Sequence, residues 1–289
     1  MSMTRVGSTH PCRSPAPPHA DAGGGLPLDP VALHAPAAPP KPALPGTVVL
    51  RPDADALIDA IAADIMIQAV NCVRAFGDFH IALSGGSTPF PLYKRLMYDP
   101  RYRELPWKRT HLWIVDERRV PFDDDKSNFK HIREIIADHA DIPANNVHPM
   151  MAMQDDADTA YEREMQQALA WREKGQDRLD FVLLGMGGDG HTASLFPRSP
   201  ALNSGEEPRM ILINSGPNVT PPDRVTMTYY LLNASRFIGV MCVGEGKKAM
   251  LAKIAAAKNA GTSHEDLPIL GVKPHSGEMR WYLDYAACP

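Results

Sequence analysis

From residue 47 onward, short apolar runs alternate with longer stretches whose apolar residues recur every three or four positions. That alternation is the strongest constraint on what this chain can become. TVVL (47–50), FHIALS (79–84), HLWIV (111–115), LDFVLLG (179–185), RMILI (209–213), FIGVMCV (237–243) and RWYLD (280–284) read as strands. Between them, residues 53–76 place Leu57, Ile61, Ile65, Ala69, Cys72 and Phe76 along one helical face. Helices are also predicted over 89–97, 127–138, 155–174 (closed by Gly175) and 246–257. LDFVLLG is apolar throughout, as a strand covered on both faces must be. The pattern predicts the α/β class: an open, mostly parallel sheet with helices on both faces. In such sheets ligands sit beyond the carboxyl ends of the strands, so the loops after 84, 115, 185 and 243 are the candidate site.

The first 46 residues are different. They hold eleven of the 28 prolines and only five charged side chains. Proline removes donors and blocks helix interiors, so 1–46 reads as a disordered tail and 47–289 as a single domain. The tail has no signal-type apolar segment, although its arginines leave organellar import open. Four scattered cysteines without a CxxC pair predict a reducing, cytoplasmic setting and no disulfide scaffold. A net charge of −4 argues against nucleic acid or an anionic membrane as partner. No uninterrupted apolar run reaches membrane-spanning length. Oligomeric state, monomer or homodimer, is not legible.

Each candidate loop has a chemical reading. Ser84-Gly85-Gly86-Ser87-Thr88-Pro89 offers backbone N–H groups and hydroxyls to an anion, most naturally phosphate, at the start of a helix. Ser87 or Thr88 is expected to cap that helix, with Pro89 at its first position. It is neither GxGxxG nor a Walker loop, so no nucleotide cofactor is indicated. In Asp116-Glu117-Arg118-Arg119 the arginines either grip a phosphate or pair locally with the acids, and Ser127 reads as a cap. Met186-Gly187-Gly188-Asp189-Gly190-His191 is the sharpest signal. Glycines at 185, 187, 188 and 190 surround one acid and one imidazole able to exchange a proton at neutral pH. No HxH or HExxH spacing suggests a metal. Arg224, in a Pro-Pro-Asp-Arg stretch, and Lys247 or Lys248, at a helix start, add positive charge to the same edge.

Taken together, SGGSTP, HLWIVDERRVP, SNF, GMGGDGHTASLFP, PPDRVTMT, GEGKKAML and LPILGVKPHSGEMRWYLD resemble the 6-phosphogluconolactonase family over about residues 46–285. The resemblance implies one domain of the glucosamine-6-phosphate deaminase type. It also implies hydrolysis of 6-phosphoglucono-1,5-lactone, a sugar phosphate of the pentose phosphate pathway, without metal or cofactor. It assigns His191 as general base on water and Asp189 as its orienting partner or a holder of a sugar hydroxyl. It assigns Gly86, Ser87, Thr88, Arg118, Arg224 and Lys247 to substrate binding, preferring Lys247 to Lys248. Phe129 stands where tyrosine is frequent in that family. The deaminase branch carries a catalytic glutamate where this chain has Phe196. A deaminase, or a silent sugar-phosphate sensor on the same fold, are the rival readings.

Overall fold

The computed structural model describes residues 37–203 and 208–289. Six strands form one sheet in the order β1-β9-β8-β5-β2-β3, and every neighbouring pair is parallel. They are β1 (Thr47–Arg51), β2 (Phe79–Leu83), β3 (Thr110–Ile114), β5 (Phe181–Leu184), β8 (Phe237–Cys242) and β9 (Glu278–Asp284). A second, antiparallel sheet joins β4 (Asp116–Arg118), β7 (Asp223–Met227) and β6 (Ile211–Ser215) in that order. RMILI therefore yields a strand of the smaller sheet. Every residue of β2, β5 and β8 is buried. Because side chains alternate across a sheet, its centre is covered on both faces, as apolar LDFVLLG predicts.

The helices are α1 (Ala54–Phe76), α2 (Phe90–Tyr98), α3 (Asn128–Ile132), α4 (Ala157–Leu169), α5 (Tyr229–Ala234) and α6 (Lys248–Ala260). Asp53 caps α1, accepting from the Ala56 N–H at 2.8 Å, and Gly77 closes it in a left-handed conformation. By length and composition α1 could cross a membrane. Its Leu57, Ile61, Ile65 and Ala69 are instead fully buried, and it lies along β1, β2 and β9 as a core helix. Two expectations are corrected. α4 stops at Leu169, and Gly175 serves a later turn rather than the helix end. After α3 the chain continues as one wider turn over Arg133–Ala137 instead of a regular helix to 138.

Of the proline-rich stretch expected to be disordered, residues 1–36 lie outside the described residues. The unit built on the sheet begins at Ala38. The Trp281 indole N–H donates to the Pro45 carbonyl at 2.8 Å, and the Cys288 thiol reaches the Pro40 carbonyl at 3.3 Å. Leu44 packs on the core. Residues 38–46 thus belong to the domain, held by groups some 240 positions away that the sequence does not place beside them.

The strand order reverses direction beside β2. From β2 the chain steps outward to β3, whereas β5, β8 and β9 build the other way. The crevice at the carboxyl ends of β2 and β5 is where a ligand is expected in such a sheet.

Candidate active site

The loop after β2 is pinned at its root. Ser84 Oγ donates to the Leu183 carbonyl at 2.7 Å, and the Tyr93 hydroxyl donates to the Ser84 carbonyl at 2.6 Å. Gly86 adopts φ +89°, a conformation that side chains resist. α2 begins at Phe90 after Pro89, and no side chain caps it. The expected capping by Ser87 or Thr88 is therefore absent, and neither hydroxyl is committed to the helix.

β4 is only three residues long, but its alternation separates the functions of the Asp-Glu-Arg run. Asp116 and Arg118 line the cleft. Glu117 points the other way, and its buried carboxylate accepts from Ser127 Oγ (3.0 Å) and from the N–H groups of Arg118 (2.7 Å), Asn128 (2.7 Å) and Phe129 (2.8 Å). Burial nevertheless pushes the Glu117 carboxyl up from its ordinary value. Ser127 caps α3 as expected, accepting from the Lys130 N–H at 3.1 Å. The local ion-pair cluster does not form: Arg118 donates to the Lys126 carbonyl at 2.7 Å, and Arg119 reaches the Gln154 carbonyl at 3.3 Å.

β7 lies antiparallel to β4 with Arg118 directly opposite Arg224. Like charges facing each other across a sheet repel unless an anion lies between them. Arg224 is 5% exposed. Burial lowers its guanidinium's affinity for a proton, and Arg118 adds to that. It donates to the carbonyls of Pro221 and Asp223.

The loop after β5 carries the imidazole. His191 Nδ1 lies 2.6 Å from Asp189 Oδ1, and the His191 N–H reaches the same oxygen at 3.1 Å. The hydrogen bond from His191 holds the Asp189 carboxyl below its usual range. An ionised carboxylate only accepts, so Nδ1 carries the proton and the Nε2 lone pair is left free. Gly187 makes this packing feasible: a Cβ there would fall 2.2 Å from the His191 ring. Phe196 lies 5.1 Å from that ring, tilted by 58°, and the Arg224 guanidinium stands 6.0 Å above Phe196. Lys247 Nζ donates to the Met186 carbonyl at 2.6 Å, clamping the same loop.

These loops enclose a cleft of about 400 Å³. Gly86, Thr88, Arg118, His191, Arg224 and Lys247 line it together. Ser87 and Lys248 do not, and Asp189 stands behind the imidazole. Sequence reasoning did not single out Asp116, Asn128 or Ser194, which also line the cleft. Period-two alternation in Asp116-Glu117-Arg118 was the available signal for the first.

At the opposite end of the sheet, Asp78, His80 and His111 offer ligand atoms within 4.8 Å of one another. Hydrogen bonding there disfavours a cation. The Trp113 indole N–H donates to His80 Nδ1 at 3.1 Å, which leaves the proton on Nε2, facing Asp78 Oδ2 at 2.8 Å.

Comparison with known proteins agrees with this architecture. The family model described as glucosamine-6-phosphate isomerases/6-phosphogluconolactonase matches residues 52–281. The human GDH/6PGL endoplasmic bifunctional protein is 39% identical over 239 residues, covering 80% of this chain but only 29% of its own length. This chain thus spans under a third of that relative. A 6-phosphogluconolactonase from a Nostoc strain is 37% identical over 246 residues, covering 83% of this chain and 96% of its own. Among solved structures, the Thermotoga maritima 6-phosphogluconolactonase superposes with TM-score 0.68 at 29% identity, covering 82% of this chain and 99% of its own. The Trypanosoma cruzi enzyme of that name gives 0.71 at 25% identity, covering 86% and 97%. With its sheet order, its glycine-bounded Asp-His pair and a family match from residue 52 to 281, this chain belongs to the glucosamine-6-phosphate isomerase/6-phosphogluconolactonase family.

Proposed function

We propose that the protein hydrolyses 6-phosphoglucono-1,5-lactone to 6-phosphogluconate. The observation that carries this reading is a free imidazole nitrogen and an opposed arginine pair in one cleft. The first suits a proton transfer and the second suits a phosphate. His191 Nε2 takes a proton from water as that water attacks the lactone carbonyl. The carbonyl becomes a tetrahedral alkoxide, for which the loop N–H groups and Arg224 are candidate donors. When it collapses, the bond to the ring oxygen breaks and the imidazolium returns its proton to that oxygen. The product acid then ionises. Asp189 holds the ring and offsets the charge that His191 gains. The phosphate rests on Gly86 and Thr88, with Arg118, Arg224 and Lys247 as cationic partners. Lactones are activated esters, so positioning and general-base help of about 10²–10⁴-fold are sufficient in kind.

The test is a coupled assay in which glucose-6-phosphate dehydrogenase generates the lactone and 6-phosphogluconate dehydrogenase reports the product. Turnover well above spontaneous hydrolysis, lost in His191→Ala, is expected. Ammonia release from glucosamine 6-phosphate without lactonase turnover would overturn the reading in favour of a deaminase. A folded protein that binds 6-phosphogluconate but turns over neither substrate would make it a sensor.

A further inference from the structure

The cleft is dominated by donors. Arg118, Arg224, Lys247 and Thr88 all present N–H or O–H groups. Such a surface suits phosphate but not the hydroxyl protons of a sugar, which lose free energy when buried without an acceptor. Asp116 is the sole carboxylate lining the cleft among the described residues. It is 8% exposed and built in rather than adventitious. Ser194 Oγ donates to its Oδ2 at 2.6 Å, and the Asn128 amide donates to its backbone carbonyl at 2.7 Å. Ser194 is fixed in turn, its N–H donating to Thr226 Oγ1 at 3.1 Å and its carbonyl accepting from Asn214 at 2.7 Å. Thr226 is the cross-strand partner of Asp116 in the β4–β7 ladder. Asp116 Oδ1 accepts no hydrogen bond from the described residues and forms no ion pair with Arg118 or Arg224.

We infer that Asp116 is a specificity-determining residue whose free Oδ1 accepts a hydrogen bond from a ring hydroxyl of the substrate, between phosphate and lactone carbonyl. The inference deepens the lactonase reading and rests on it. Its placement follows from two connections. Arg118, two residues further along the strand, lies about 7 Å away on the same face. Ser194, three residues after His191, ties the carboxylate to the loop that carries the base. Phosphate, hydroxyl and carbonyl are therefore met in sequence by guanidinium, carboxylate and imidazole. A carboxylate repels phosphate, so Asp116 also enforces the direction in which the sugar enters.

The experiment is a thermodynamic cycle between enzyme and substrate. Wild type, Asp116→Ala and Asp116→Asn are assayed on 6-phosphogluconolactone and on its 2-, 3- and 4-deoxy analogues, with melting curves confirming that each variant folds. For wild type, one analogue should lose roughly 10- to 100-fold in kcat/KM, the range of a charge-assisted hydrogen bond. Asp116→Ala should lose a similar factor on the parent lactone and almost nothing further on that analogue. Asp116→Asn, which keeps an acceptor oxygen, should fall between. Ser194→Ala, which only loosens the carboxylate, should show a weaker version of the same selectivity loss. Three analogues as good as the parent, or losses that multiply, would overturn the inference. Calorimetric affinities for 6-phosphogluconate and its deoxy acids supply a readout without turnover. Hydroxyl-dependent binding lost in Asp116→Ala, in a protein without lactonase activity, would sink the function and keep the subsite.

Discussion

His191 can act as a base only while its Nε2 lone pair is free, and a 2.6 Å contact to Asp189 secures that by keeping the proton on Nδ1. Removing the imidazole should therefore reduce kcat by about 10²–10⁴-fold while 6-phosphogluconate affinity stays nearly intact. Asp189→Asn should also reduce kcat, because an amide can present a donor to Nδ1 and reverse the tautomer. Initial rates and product titration on both variants check this, and unchanged kcat in either removes that residue from the proton transfer. Arg118 belongs to the other half of the site. Arg118→Ala should raise KM for the phosphorylated lactone roughly tenfold or more, the scale of one charge-assisted hydrogen bond, and leave hydrolysis of unphosphorylated gluconolactone unchanged. An equal effect on both lactones would mean that Arg118 does not face phosphate. The glycine-rich Asp-His loop and the basic residues were legible because their residue types are chemically costly unless used. Asp116 was not, because an acid beside two arginines reads equally well as a paired charge, and only the alternation of β4 shows which way it points.

At the scale of elements, hydrophobic periodicity located the parallel strands and α1 to within a residue or two, since the central strands are buried throughout and α1 keeps one fully buried apolar face. It missed β4 and β7, which are short, partly charged and stabilised by each other rather than by an apolar pattern. It also extended α4 to residue 174, whereas the helix ends at Leu169. Arg172 is bound to Asp78 and Asp180 at the floor of the sheet, where a tertiary ion-pair network outweighs local propensity. Glu117 couples these short elements: from β4 it receives three backbone N–H groups and the Ser127 hydroxyl, fixing the start of α3. Each buried donor left without a partner costs roughly 1–3 kcal/mol, so Glu117→Ala should destabilise the fold by at least about 2 kcal/mol. Chemical denaturation measures it directly. A loss below about 0.5 kcal/mol would mean that water replaces the carboxylate and that α3 stands without it.

Across the whole molecule, the two ends of the parallel sheet carry different work. The carboxyl ends of β2 and β5 flank the reversal in strand order and hold the cleft. The amino ends bury a stack of His80, His111, Trp113 and His148 against Asp78 and Arg172. His111 contacts His148 at 3.0 Å, and His148 contacts Glu164 at 2.6 Å. Burial, with His80 and His148 as like-charged neighbours when protonated, pushes His111 down to about 3. Burial lowers His80 as well, although its bond to Asp78 opposes this. His111 is thus neutral in the folded protein at pH values where the unfolded chain, titrating near 6.5, takes up protons. The unfolded state then binds more protons than the native one, so stability is full above about pH 6.5 and declines as the medium is acidified toward 3. His111 contributes a slope approaching about 1.4 kcal/mol per pH unit between those two values. Replacing His111 with glutamine removes one titrating group, so the variant should be less stable at pH 7 yet lose stability more slowly on acidification. Urea midpoints taken between pH 7.5 and 4.5 compare the two slopes. Parallel curves would show that His111 takes up its proton equally in the folded and the unfolded chain, and that its burial does not set the acid sensitivity.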